Sequence, residues 1–69
     1  MKFEVRFKNE SDETLAVTKF EKDSLQELSE EIKKLLDQDY ITIQQRELFG
    51  TIIVSSKIAK VSISHSILP

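Results

Sequence analysis

The chain has 69 residues and a formal charge of −2, and its 39% hydrophobic and 32% charged residues are typical of a globular protein and exclude a disordered one. We expect a single domain over residues 1–69, because this length is too short for two hydrophobic cores. There is no Cys and only one His, which excludes a disulfide framework and a multi-histidine metal centre, and the single Gly excludes a glycine-rich phosphate loop.

Two strands are predicted at the start of the chain. In the first, apolar and charged residues alternate with the period of two that is typical of a strand with one buried face. A polar, acidic turn over residues 9–13 separates it from a second strand, Thr14–Phe20, so the two strands are predicted to form a hairpin. The buried face of the second strand stays open, because apolar residues occur at both its odd and its even positions. The apolar residues of the first strand are Phe3, Val5 and Phe7.

A helix is predicted from Ser24 to Leu36. Ser24 and Glu27 fit a capping box, in which the serine hydroxyl accepts a hydrogen bond from a free helix amide, and Asp23 is an alternative cap. Acidic residues lie toward the N-terminal half and lysines toward the C-terminal half, the order that the helix dipole favours. Apolar residues recur at steps of three and four and form one stripe. The stripe consists of Leu25, Leu28, Ile32, Leu35 and Leu36.

The C-terminal half of the chain predicts three further strands. Tyr40–Gln44 alternates as a strand, and Gln45–Gly50 is predicted to be a loop in which Gly50 supplies a positive φ angle. Thr51–Ser55 and Ile58–Ser64 follow as strands separated by two residues. This short separation predicts that the last two strands pair as a tight hairpin.

These elements predict an α+β fold in the order ββαβββ, with a single helix packed on one face of a mainly antiparallel sheet. The alternative is a β-grasp-like mixed sheet, in which the first strand pairs in parallel with a later one beneath the helix. The order of elements and the stretch Gln44–Gly50 resemble the ubiquitin family. This resemblance implies the topology alone, because the chain ends in Leu68–Pro69 where conjugation requires paired glycines.

No group of residues predicts catalysis, so we expect a protein that is not an enzyme and has no metal, no cofactor and no small-molecule substrate. His65 has no second His or Cys to form a metal site or a triad with, and the serines near it alternate toward solvent without a glycine elbow. The acidic turn lacks the spacing and the glycine of a calcium loop. No apolar run has signal-peptide or membrane-spanning length, so we expect a cytoplasmic protein with no membrane partner.

A protein interface is predicted in the C-terminal half. Ile52–Val54 are three consecutive apolar residues, so at least one of them must face away from the helix-covered side. Ile53 is the choice, since its neighbours of the same parity are polar. With the apolar tail Ile67–Pro69, these residues exceed what one helix covers, and such surfaces usually mark an interface. The candidate interface residues are Leu48, Phe49, Ile53 and Ile58.

The predicted function is that of a small protein-interaction module that self-associates as a dimer, since a short chain without a disulfide or metal gains stability from a partner. Another protein partner also fits. Its general organisation resembles small accessory proteins of bacteria and their phages. The alternative is a nucleic-acid-binding regulator that uses a basic outer face of the sheet. The candidate nucleic-acid face consists of Lys2, Arg6, Lys8 and Lys60.

Overall fold

Five strands and one α-helix follow one another in the predicted order ββαβββ, and the predicted α+β class is confirmed. The computed structural model describes residues 1–66, with the side chains of all of these except 45 and 66. The predicted apolar tail, Ile67–Pro69, lies outside the described residues. The elements are β1 (Lys2–Lys8), β2 (Thr14–Glu21), α1 (Leu25–Leu36), β3 (Tyr40–Arg46), β4 (Phe49–Val54), a one-turn 3-10 helix (Ser55–Lys57) and β5 (Lys60–Ser66).

β1 is the central strand of a three-stranded antiparallel sheet in the order β2-β1-β5. The predicted hairpin of the first two strands is confirmed. Val5 lies opposite Thr18 on β2 and opposite Ile63 on β5. Because directly opposite residues share a face, the odd residues of β1 and β5 and the even residues of β2 form the inner face of this sheet.

The sequence left open which face of β2 is buried, and a register shift in this strand explains why. Phe7 pairs with Ala16 but Lys8 pairs with Thr14, so Leu15 is an extra residue on β2. An extra residue of this kind bends the strand and re-aims its side chain. Leu15 packs against the core although its parity is opposite to that of Ala16, which explains why both parities of this strand contain apolar residues.

β3 and β4 form a separate two-stranded antiparallel ribbon, so the structure has two sheets where the sequence predicted one. The predicted hairpin of the last two strands is wrong, because β4 pairs with β3 whereas β5 pairs with β1. The connecting segment Ser55–Lys57 is a 3-10 turn that leads the chain from one sheet to the other. It has no residue of positive φ, which the tight hairpin turns require. The β-grasp alternative is also wrong, since every strand pair within residues 1–66 is antiparallel.

The core lies between the three-stranded sheet, the ribbon and the helix, and all three contribute to it. Within the described side chains, the buried residues are all apolar. They are Phe3, Val5, Phe7, Ala16, Leu28, Ile32, Ile41, Ile43 and Ile53.

The helix begins where the capping box predicts. The Ser24 hydroxyl accepts a hydrogen bond from the Glu27 amide at 3.2 Å, so Ser24 and not Asp23 is the N-cap. At the C-terminal end, Asp37 has a φ of −74°, and the Gln38 amide donates to the Leu35 carbonyl oxygen at 3.1 Å. These hydrogen bonds satisfy backbone groups that both ends of a helix leave free.

An ion pair ties the helix to the end of the β1–β2 hairpin. Lys22 Nζ lies 2.8 Å from Glu31 Oε1, and both side chains are partly exposed. The hydrogen bond to Glu31 raises the pKa of Lys22 above its ordinary value of 10.5; partial desolvation opposes this, and the charges of Glu31 and Glu27 add to it. Since the folded state raises this pKa, the contribution of the Lys22 charge to stability is complete at neutral pH and is lost as the pH rises through the folded-state pKa.

The helix stripe gives the first testable expectation. Leu28 is fully buried, whereas Leu25 is 54% exposed although it belongs to the same predicted stripe. We expect Leu28→Ala to lower the free energy of unfolding by about 2 to 5 kcal/mol, which is comparable with the whole stability of a small domain. Leu25→Ala should change it by no more than about 0.5 kcal/mol. Urea denaturation followed by circular dichroism measures both, and equal losses would contradict the assigned buried face.

Candidate interaction surfaces

The outer face of the ribbon is an uncharged surface. On β3, Ile41 and Ile43 are buried, so alternation turns the even residues outward. Each outward residue of β3 lies opposite a residue of β4 on the same face. We call this surface the ribbon face. It consists of Tyr40, Thr42, Gln44, Gly50, Ile52 and Val54.

Three large apolar side chains on the ribbon face are exposed. Tyr40 is 60% exposed, Ile52 68% and Val54 43%. Tyr40 and Val54 are direct cross-strand neighbours, and Ile52 lies diagonally next to Tyr40, so the three form one contiguous patch. Contiguous apolar patches on small soluble proteins mark interaction sites more often than isolated apolar residues do.

The prediction that Ile53 faces away from the core is wrong. Its side chain is only 6% exposed, and it lies opposite the buried Ile41. The interpretation failed because it placed Ile53 with its polar neighbours of the same parity, Thr51 and Ser55, which are in fact half-buried on the inner side. The residues that face outward are Ile52 and Val54.

Ile58 does not belong to the ribbon face either. It follows the 3-10 turn, is half-buried and packs against the core. It also lines an open recess of about 370 Å³ between the β1–β2 turn and the 3-10 segment, with Asn9 and Ser11 on the other side. Ile58 was predicted as an interface residue because the apolar residues of this region exceed what one helix covers, but its side chain packs against the core and is not a free apolar surface.

Leu48 and Phe49 are exposed at the tip of the ribbon. Leu48, in the two-residue turn between β3 and β4, is 91% exposed, and Phe49 is 65% exposed. By alternation from Gly50, Phe49 belongs to the inner side of the ribbon, beyond the end of the core. These two predicted interface residues are therefore accessible, but Phe49 does not extend the ribbon face.

The prediction that Gly50 supplies a positive φ angle is wrong, because its φ is not positive. Gly50 instead allows its backbone to lie close to the backbone of β3. Gly50 lies opposite Gln44, at the end of the register that begins at Tyr40, and the register shifts only beyond this pair. A Cβ atom at Gly50 would lie 3.2 Å from the carbonyl oxygen of Ile43, which is tighter than ordinary contact. The segment predicted to be a loop is therefore mostly strand, and its glycine allows the two strands to approach each other.

The four residues of the candidate nucleic-acid face lie together on the outer face of the three-stranded sheet. Lys2, Arg6 and Lys8 project from β1, and Lys60 of β5 lies opposite Lys8. Arg6 lies 3.0 Å from Glu4, and the ammonium groups of Lys8 and Lys60 each lie 3.7 Å from an oxygen of Asp12. Asp12 belongs to the acidic turn over residues 9–13, and the position of this turn just after Lys8 is the signal in the sequence that could have indicated the contact.

The chemistry-bearing residues are otherwise dispersed. His65 is exposed at the end of β5, and its ring centroid lies 5.6 Å from that of Phe3. Within residues 1–66, no three His, Cys, Asp or Glu side chains group as metal ligands, and no helix there is long and apolar enough to cross a membrane. Comparisons with family models, curated proteins and solved structures found no match to this chain.

The opposite placements of Ile52 and Ile53 give a direct test of the ribbon. We expect Ile53→Ala to lower the free energy of unfolding by about 2 to 5 kcal/mol, because it opens a cavity beside Ile41. Ile52→Ala removes the same atoms from an exposed site and should cost less than about 0.5 kcal/mol in dilute solution. Thermal or urea unfolding of the two variants measures the difference, and the reverse ranking would mean that the register of β3 and β4 is wrong.

Proposed function

We propose that the protein is a small non-enzymatic interaction module that pairs with a second copy of itself through the ribbon face. The observation that carries this proposal is the exposure of Tyr40, Ile52 and Val54 on a surface without a charged side chain. Interface centres are depleted in charged residues and enriched in aromatic ones, and the ribbon face has both properties.

The absence of charge on the ribbon face supports a second copy as the occupant. A two-fold contact packs the same patch of both copies against itself, so like charges on that patch would repel each other. The ribbon face carries no charged side chain and therefore meets no such repulsion.

The size of the ribbon face determines how tightly we expect the two copies to bind each other. Each strand contributes five residues with a rise of about 3.3 Å per residue, and the two strands lie about 4.8 Å apart. The surface is therefore about 16 Å long and about 10 Å wide. This is well below the roughly 800 Å² per partner of a standard stable interface. We therefore expect a weak and reversible dimer that forms at high micromolar concentration.

The test of this proposal is sedimentation equilibrium from micromolar to millimolar concentration. We expect the wild-type chain to shift reversibly from monomer to dimer, and Ile52→Lys to stay monomeric, because two facing ribbons would bury two unpaired charges. The matched control is Leu25→Lys, which places the same charge at an exposed leucine on the helix and should dimerise like the wild type.

Two outcomes would contradict the proposal. A wild-type chain that remains monomeric up to millimolar concentration would exclude self-association through any surface. Loss of the dimer in Leu25→Lys with an intact dimer in Ile52→Lys would move the contact from the ribbon face to the helix.

The absence of Cys allows a second, geometric test. Thr42 lies at the middle of the ribbon face, opposite Ile52, so a two-fold axis through this face brings the two copies of residue 42 close together. Sheets packed face to face lie about 10 Å apart, which is too far for a direct disulfide. We expect a short bismaleimide to cross-link Thr42→Cys into a covalent dimer, and to leave Thr14→Cys, an exposed position on β2, as monomer. Equal cross-linking of both variants on denaturing gels would indicate random collision.

A further inference from the structure

A small cluster of cations converges on one carboxylate at the end of the three-stranded sheet where the β1–β2 turn lies. Lys8 and Lys60 are direct neighbours across β1 and β5. Both ammonium nitrogens lie 3.7 Å from the same atom, Oδ1 of Asp12. Arg6 precedes Lys8 on the same face, one strand repeat of about 6.8 Å away. Two ammonium groups thus share a single internal anion, and Arg6, which pairs with Glu4 at 3.0 Å, lies beside them.

Asp12 holds this position only loosely. Charge-assisted hydrogen bonds between ammonium and carboxylate groups are typically about 2.7 to 2.9 Å long, so both contacts at 3.7 Å are weaker than that. The Asp12 side chain is 66% exposed and that of Lys60 is 61% exposed. Exposed ion pairs of this kind contribute little to stability and are screened by salt. A more highly charged external anion therefore competes with Asp12 at small cost.

The rest of this face favours an anionic partner. The protein as a whole has a charge of −2, but cations exceed carboxylates on this face, even when Asp12 is counted. Next to the cations lie hydroxyl groups of β5, which can donate hydrogen bonds to phosphate oxygens. The charged residues are Lys2, Arg6, Lys8, Lys19 and Lys60, against Glu4, Asp12 and Glu21.

We infer that Lys8, Lys60 and Arg6 bind the phosphodiester backbone of a nucleic-acid duplex, and that Asp12 is an internal anion which the phosphate displaces. Contacts to phosphates by Lys and Arg provide binding without sequence preference. The described residues of this face include no aromatic side chain, so it lacks the stacking platform that single-stranded nucleic acids require. The duplex is therefore the form of nucleic acid that fits. This site lies on a different sheet from the ribbon face and does not depend on dimerisation.

The hydrogen bonds that hold the β1–β2 turn do not involve the Asp12 side chain, so Asp12 can be substituted without disturbing the turn. The Asn9 Oδ1 atom accepts hydrogen bonds from the Ser11 and Glu13 amides, each at 3.0 Å, and the Asp12 amide donates to the Asn9 carbonyl oxygen. None of these hydrogen bonds uses the Asp12 carboxylate. Asp12 has a φ of 63°, a conformation in which Asn is as well tolerated as Asp. Asp12→Asn therefore removes the charge and preserves the turn.

The experiment is fluorescence anisotropy of a short mixed-sequence DNA duplex, titrated with the protein at several salt concentrations. We expect Asp12→Asn to bind about fivefold more tightly than the wild type, because two weak internal ion pairs no longer compete. Asp23→Asn makes the same change in net charge at an exposed site beyond the opposite end of β2 from the turn, and should shift the affinity by less than about twofold.

Lys60→Ala provides a second variant, for which the expected change in affinity is opposite to that of Asp12→Asn. We expect it to weaken binding and to reduce the slope of log K against log salt by about 0.9, the loss of one phosphate contact. Lys34→Ala, on the exposed side of the helix, is its matched control and should leave the slope unchanged.

Three results would overturn the inference. The first is the absence of duplex binding by both the wild type and Asp12→Asn at low salt. The second is an equal gain in affinity for Asp12→Asn and Asp23→Asn, which would assign the effect to net charge alone. The third is tighter binding of a single-stranded oligonucleotide than of the duplex, which would contradict a site made of phosphate contacts on a face without stacking side chains.

Discussion

The pairing of β1 with two partner strands at once is the interaction on which the rest of the structure depends. Val5 lies opposite Thr18 on one side and Ile63 on the other, so one seven-residue strand sets the register of the whole three-stranded sheet. Its odd residues, Phe3 to Phe7, form the largest part of the buried inner face, and its even residues carry the charges of the outer face. A shift of one residue in this strand would exchange the two faces completely, so its alternation protects both the core and the cationic surface.

The second sheet is the region where the fold leaves apolar surface uncovered. The helix contributes Leu28 and Ile32 to the core, and the inner side of the ribbon contributes Ile41, Ile43 and Ile53. No described element covers the outer face of the ribbon, which is why Ile52 and Val54 are exposed while Ile53 between them is buried, although all three are apolar. The molecule thus has two chemically different outer surfaces, an uncharged one on the ribbon and a cationic one on the three-stranded sheet.

The sequence predicted correctly those elements whose pattern lies within their own residues. The helix and its Ser24 cap, the buried face of β1 and the order ββαβββ followed from period and capping alone. Consecutive apolar residues carry no period, so the face of Ile53 depended on its pairing with β3, which the sequence does not show. The partner of β5 and the contact of Lys8 and Lys60 with Asp12 depend on pairing between distant segments, and parity could predict only that these lysines share a face. Whether either surface binds a partner stays a prediction.

The antiparallel contact between β1 and β5 also affects how the chain folds. The hairpin of β1 with β2 and the ribbon of β3 with β4 close short loops, whereas residues 9–59 all lie between β1 and β5. The entropy cost of closing so long a segment is met only once the intervening elements have become compact, which places the docking of β5 late in folding. Until then, β1 has one unpaired edge with its backbone donors and acceptors open to other chains. Lys2, Arg6 and Lys8 project from one side of this edge strand, and charged side chains on an edge strand disfavour pairing with other chains, so the residues of the cationic surface also protect the unfinished sheet from aggregation.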